Sequence, residues 1–310
     1  MLIPVRTGEL TSLSPIAVED AEAFRAAAEH AGARAASYYF PRLYFYGQSE
    51  AHALRWERHA GAILTYQIRQ RKVGSQVKSQ MNLFLPPFPF DPAALRHAVQ
   101  WMRDFNGDRS GRIIFVEEGQ ALRIAREGFA ISVRGEEFIY DRDAVVALRG
   151  AAFKGLRQEL SRALRAGVVV TRPYTRADYS TCLALTKAWR ERLAARGVKP
   201  EGYTSTLACL AAADRFPPSL LQGLVAEVDS TVRGFAFGGP LTSTLGSHYL
   251  GIADPGVHGL AYLLSHRLMA GWPGLTHFND SDDAGRPGVR AMKQQFRPVE
   301  MHAVFSAREH

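Results

Sequence analysis

Residues 278–307 read FNDSDDAGRPGVRAMKQQFRPVEMHAVFSA. They spell the end of a strand, an acidic turn, a helix and a final strand. Asn279, Asp280, Asp282 and Asp283 stand at the mouth of the turn, and Arg290 and Lys293 follow on the helix. Residues three apart lie on neighbouring rows of a helix, so Arg290 and Lys293 present two cations toward one side. Carboxylates at a strand's carboxyl end with cations on the next helix make up a layout of group-transfer clefts in open α/β sheets. The plain alternative is a well-capped helix with solvated ends.

Upstream lies the strand segment Gly246-Ser247-His248-Tyr249, followed by the loop Gly256-Val257-His258-Gly259-Leu260-Ala261. On a strand, Ser247 and Tyr249 face one way and His248 the other. An imidazole titrates near neutrality, so His248 is a candidate general base for an attacking amine. A strand histidine equally serves as a hydrogen-bonded core residue. His258, His266 and His277 show no ligand spacing with one another or with carboxylates, so no metal is expected.

The chain has 310 residues, 46% of them hydrophobic, and a net charge of +8. That length favours two domains. Between Asp141 and Asp178, eight cations face four acids, which is half of the +8 excess. On a helix from about Arg149 to Ala166, Phe153, Leu156, Leu160 and Leu164 form an apolar stripe, and Lys154, Arg157, Arg162 and Arg165 cluster off it. A cationic helix face attracts polyanions through counterion release. Transfer RNA, coenzyme A and anionic lipid all qualify, and a solvated Arg-rich surface is the competing reading.

No apolar run reaches the roughly 18 residues of a membrane span. MLIPVRTGELTSL at the start does not read as a signal peptide. Two isolated cysteines, Cys182 and Cys209, suit buried thiols in a reducing compartment, so the expectation is a cytoplasmic protein.

Periodicity gives an α/β (α+β) order of elements. In the first half, helices at 18–31, 92–105 and 120–127 alternate with strands at 52–58, 63–69, 81–85, 112–117 and 138–141. Pro86-Pro87-Phe88-Pro89 is expected to end its strand. This half has no glycine-rich phosphate loop. The second half reads as the linking helix, a strand at 168–172, helices at 175–196 and 204–214, then a hairpin of 224–229 with 232–237. A strand at 244–252 and a helix precede the closing segment. A mixed sheet suits that order.

GVRAMKQQFRP (288–298) resembles the carboxyl-terminal signature G-L-x-x-F-K-x-K-F-x-P of the phosphatidylglycerol lysyltransferase C-terminal-like family. FIYDRDAVVALRGAAFKGLRQELSRAL (138–164) resembles its linker, and YYFPRLYFYG and MNLFLPP extend the likeness faintly back to Tyr38. The resemblance implies tandem GNAT-like domains with mixed sheets, a degenerate one over 1–145 and a catalytic one over 146–310. It also implies an aminoacyl-tRNA donor and no separate cofactor. Lys293, Phe296 and Pro298 match the signature, whereas Gln295 replaces its second lysine and no tryptophan follows the proline. These departures point away from lipid and toward a small-molecule or peptide amine or hydroxyl as acceptor.

On this reading Lys293 and Arg290 stabilise the oxyanion or hold the terminal ribose and phosphate. Asp280, Asp282 or Asp283 binds the α-ammonium of the donor amino acid, Asn279 and Tyr249 line the substrate site, Asp280 counts among the catalytic residues, and His248 is the candidate base. Two alternatives stand beside it. The loop at 256–261 resembles the pyrophosphate loop R/Q-x-x-G-x-G/A of acetyl-CoA GNAT enzymes, with Gly259 and Ala261 in place but Gly256 at the Arg/Gln position. That leaves an acyl-CoA N-acyltransferase possible. The other is a non-enzymatic scaffold that binds an anion or RNA.

Overall fold

The computed structural model describes residues 13–48, 52–73 and 76–309. The chain divides into two compact units, 1–136 with 302–310, and 137–301. Sequence reasoning puts the boundary at 145. The division falls earlier because 139–141 pair with the second unit's sheet, and the last strand pairs with the first unit's sheet.

The first unit runs β1 (Ser14–Pro15), α1 (Ala21–His30), α2 (Phe40–Gly47), β2 (His52–His59), β3 (Ala62–Val73), β4 (Gln76–Phe88), α3 (Pro92–Asn106), β5 (Arg112–Glu117) and α4 (Glu118–Arg126). It also takes in most of β6 (Phe129–Asp141). Its sheet order is β1-β2-β3-β4-β5, closed by β12 (Glu300–Glu309). The strand β4 continues through Pro86 and Pro87, contrary to the expected break. It does so where the pairing with β3 shifts register, and bulges tolerate residues that cannot donate. Asp91 caps α3 as its position predicts, its carboxylate accepting from the Ala94 amide at 2.7 Å. Leu64, Tyr66, Ile68, Leu83, Leu95, Met102 and Ile113 form the core between α3 and the sheet.

The second unit continues with α5 (Arg142–Ala147), α6 (Lys154–Leu164), β7 (Val169–Pro173), α7 (Tyr179–Ala194), α8 (Tyr203–Ala212), β8 (Gln222–Val228), β9 (Thr231–Pro240) and β10 (Leu245–Ala253). It closes with α9 (Leu260–Ala270), β11 (His277–Asn279) and α10 (Pro287–Gln294). The order of strands is β6-β11-β10-β9-β8-β7. Asp229 and Ser230, at φ of 50° and 63°, make the two-residue turn of the β8–β9 hairpin. Leu156, Leu160, Leu263, Leu264, Phe278 and Phe296 pack α6, α9 and α10 onto this sheet.

Two features of this sheet prepare a site. The parallel pairing of β10 with β11 covers only Leu245–Ser247 against His277–Asn279. Beyond those residues β11 ends while β10 runs on to Ala253, which leaves a fork in the sheet. In addition, β10 slips register against β9 between His248 and Leu250, leaving Tyr249 as the bulged residue.

Candidate active site

The first residues beyond the paired stretch, His248 and Asp280, bridge the fork with their side chains. His248 Nδ1 lies 3.0 Å from Asp280 Oδ1. The other ring nitrogen, Nε2, lies 3.1 Å from the Ser265 hydroxyl of α9. The Tyr140 hydroxyl donates to Asp280 Oδ2 at 3.1 Å, and Lys293 Nζ stands 3.5 Å from Asp280 Oδ1. All five side chains are buried.

A carboxylate in such a place needs support to stay charged. Burial pushes the Asp280 carboxyl up. The Lys293 and His248 charges and the hydrogen bonds from His248 and Tyr140 outweigh that and hold it below its ordinary value. Burial, with the Asp280 charge beside it, raises the Tyr140 phenol well above its ordinary value, so it stays a donor.

Above this network the turn 279–285 is built by its own Asn and Asp side chains. Asn279 Oδ1 accepts from the Ser281 amide at 2.7 Å, and Asp283 Oδ1 accepts from the Gly285 amide at 2.8 Å. A side chain that bonds backbone two residues on is the standard use of Asn and Asp in turns. Lys293 locks the turn from beneath. Its ammonium donates to the carbonyls of Asp280, Ser281 and Asp282, the last at 2.8 Å.

The chain matches the family model for the phosphatidylglycerol lysyltransferase C-terminal domain over residues 41–308. It belongs to that family. The fold is shared with solved structures at low identity. A conserved protein of unknown function from Bacteroides thetaiotaomicron VPI-5482 is 15% identical, with a TM-score of 0.75 over 96% of this chain and 99% of that one. L-PGS from Bacillus licheniformis is 16% identical, with a TM-score of 0.65 over 96% of this chain and 93% of that one. A tandem GNAT protein from the clavulanic acid biosynthesis pathway is 14% identical, with a TM-score of 0.52 over 96% and 98%. No curated protein matches the sequence significantly. The family and these likenesses make the chain a tandem GNAT-like α/β protein.

In this member of the lysyltransferase family the structure gathers some of the residues singled out by sequence and separates others. His248, Asp280 and Lys293 meet. Arg290 sits 3.0 Å from Asp283, and both Arg290 and Lys293 approach the Phe138 ring, at 5.6 and 5.5 Å. Asp282 is exposed at the rim and Tyr249 is half-buried at the bulge. Asn279 is buried and donates to Glu137 Oε2 at 2.7 Å, so it builds the strand end rather than facing a ligand. Sequence reasoning puts the Lys293 ammonium at a reacting carbonyl, whereas here it points into the turn's own backbone.

The basic helix α6 does expose Lys154, Arg157, Arg162 and Arg165, opposite its buried Leu156, Leu160 and Ala163. Arg157 also donates to the Gly150 carbonyl at 2.8 Å, and Arg162 pairs with Glu159 at 2.6 Å. Gly259 has φ of +84°, and a Cβ there would lie 2.1 Å from the Glu159 carbonyl oxygen of α6. The glycine therefore serves close packing of α6 on the start of α9.

Tyr140 and Ser265 are the members that sequence reasoning missed. Tyr140 lies in the quoted linker and Ser265 lies one helical turn after Ala261, but nothing local marks either one. Neither cysteine is a ready nucleophile, since burial pushes the Cys182 thiol up to about 12 and the Cys209 thiol well above its ordinary value. Among the described residues no helix is long and apolar enough to cross a membrane.

Proposed function

We propose that this chain is an aminoacyl-tRNA-dependent aminoacyltransferase that passes its amino acid to a small-molecule or peptide amine or hydroxyl, with no separate cofactor. Family membership supports aminoacyl transfer. The observation that carries the reading is the buried His248–Asp280 pair across the β10–β11 fork. An aminoacyl ester is already activated, so alignment and one proton acceptor suffice. The acceptor nitrogen bonds to the ester carbonyl carbon, the bond to the ribose oxygen breaks, and the acceptor's proton passes through His248 to that oxygen. Asp280 stabilises the transient imidazolium, and Lys293 and Tyr140 fix Asp280. The rim carboxylates Asp282 and Asp283 hold the donor's α-ammonium, Arg290 meets its ribose or phosphate, and the exposed face of α6 holds tRNA.

The loop's amides weigh against the acyl-CoA alternative, because those of Gly256, Val257 and Leu260 already donate within the loop, to the Asp254 carboxylate and to the Asp254 and Val257 carbonyls, rather than toward a pyrophosphate. The test incubates the protein with a mixed pool of labelled aminoacyl-tRNAs and a set of amine acceptors. The expected result is acceptor-dependent loss of label from tRNA, reduced ~10²-fold or more in His248→Ala. Turnover of acyl-CoA without turnover of aminoacyl-tRNA would overturn the proposal.

A further inference from the structure

His248 has no ring nitrogen turned outward. Nδ1 is held by Asp280 at 3.0 Å and Nε2 by Ser265 Oγ at 3.1 Å. The ring edge beside exposed Gly251 is Cε1, a carbon. Any proton that reaches or leaves the imidazole therefore crosses Asp280 or Ser265. Asp280 is poorly placed to carry one, because its carboxylate already meets Lys293 on one oxygen and Tyr140 on the other. Ser265 Oγ differs. It has one proton and two acceptors within reach, His248 Nε2 and the Ala261 carbonyl at 3.1 Å.

The geometry points to Ser265 as the relay through which His248 exchanges protons, an inference that rests on the transferase reading above. With the imidazole neutral and its proton on Nδ1, Ser265 donates to Nε2. As the acceptor nitrogen bonds to the ester carbon, its proton moves to Ser265 Oγ while the proton of Ser265 moves to Nε2. In the resulting imidazolium, Nε2–H donates to Oγ, and the hydroxyl proton swings to the Ala261 carbonyl. Reversal delivers the proton to the departing ribose oxygen. Both charge states of the buried ring thus keep every hydrogen bond, which a buried polar group requires. Among the described residues, the charged and titratable groups that meet the ring or its carboxylate are Asp280, just past β11, with Lys293 of α10 and Tyr140 of β6 behind it, and α9 contributes the uncharged Ser265.

Two measurements on the full chain test this. Nitrogen NMR of ¹⁵N-histidine protein reports the tautomer and hydrogen bonding of His248 without any substrate. Ser265→Ala takes away the hydroxyl that Nε2 bonds in both charge states, so the hydrogen-bond displacement of the Nε2 resonance is lost. Ser265→Thr, which keeps the hydroxyl, restores it. In the transfer assay, Ser265→Ala slows turnover ~10²-fold with the donor KM unchanged. The solvent-isotope proton inventory changes from curved, for two protons in flight, to linear. Ser265→Cys keeps the volume with a weak donor and gives an intermediate loss, a control against simple misfolding. An unchanged Nε2 resonance in Ser265→Ala overturns the relay, as does a curved inventory that persists. Absence of any aminoacyl transfer by the wild type would strike the functional reading instead, and the NMR measurement would still decide this one.

Discussion

Lys293 lies 3.5 Å from the Asp280 carboxylate, with its ammonium turned into the backbone carbonyls of Asp280, Ser281 and Asp282. A buried cation so committed is a fastening for the turn that carries the candidate site's acids. Removing one partner of a buried pair leaves the other charge uncompensated. Lys293→Ala is therefore expected to destabilise the protein by about 3 kcal/mol, and aminoacyl transfer falls with it. Lys293→Arg does not rescue, because a planar guanidinium cannot satisfy three carbonyls grouped around a point charge. Denaturant unfolding checks this, and an unchanged midpoint in Lys293→Ala would return the residue to the reacting carbonyl.

Gly259→Ala meets two obstacles at once, a left-handed φ and the Glu159 carbonyl 2.1 Å from the new Cβ. The expected loss is about 3 kcal/mol from overpacking and backbone strain. Chemical denaturation measures it. Arginine at this position would unfold the helix pair before it could test for coenzyme A, so the acyl-CoA alternative is better examined by ligand binding to the wild type.

The exposed face of α6 is tested by salt dependence. In Lys154→Glu/Arg165→Glu, tRNA affinity falls and the log–log salt slope shrinks by roughly 0.7–0.9 for each phosphate no longer neutralised. This pair is preferable to Arg157, which also ties the Gly150 carbonyl. An unchanged slope would leave the face as solvated surface.

Acid should loosen the second unit through Asp178. Hydrogen bonds from Arg172, reinforced by Thr175 and opposed by burial, lower its carboxyl from 3.8 to about 2. A depressed carboxyl stabilises the fold fully above its unfolded value, and that share is lost as pH falls from about 4 toward 2. Asp178→Asn removes about 2 kcal/mol at pH 7 and flattens the acid limb of a stability–pH curve. An acid limb identical to that of the wild type would count against it.

The closing segment is legible in the sequence because its signals are local. Asn and Asp ahead of Gly285 write the turn, Pro287 opens α10, and a three-residue spacing brings Arg290 and Lys293 to one ring. The partners that complete the site are not legible. Tyr140 reaches Asp280 across 140 residues because β6 pairs with β11, and that register appears in no short window. Asn279 reads as a donor-binding residue at the mouth of the turn until Glu137 is found beside it. Periodicity shortens the long β6 to 138–141 because Gly135, Glu136 and Glu137 break its apolar alternation, although pairing holds it as a strand. His248 can be named but not oriented, since both of its ring partners come from distant elements.

The assignment of 302–310 to the first unit reverses the order in which the two halves can be finished during synthesis. Everything the second unit requires has left the ribosome once residue 301 emerges, while β5 still lacks its antiparallel neighbour β12. Until then the first unit exposes an open sheet edge, and such edges recruit foreign strands. A nascent or prematurely stopped chain is thus most vulnerable in the half that was made first, and a tag or fusion placed just after residue 309 would burden that half rather than the adjoining one.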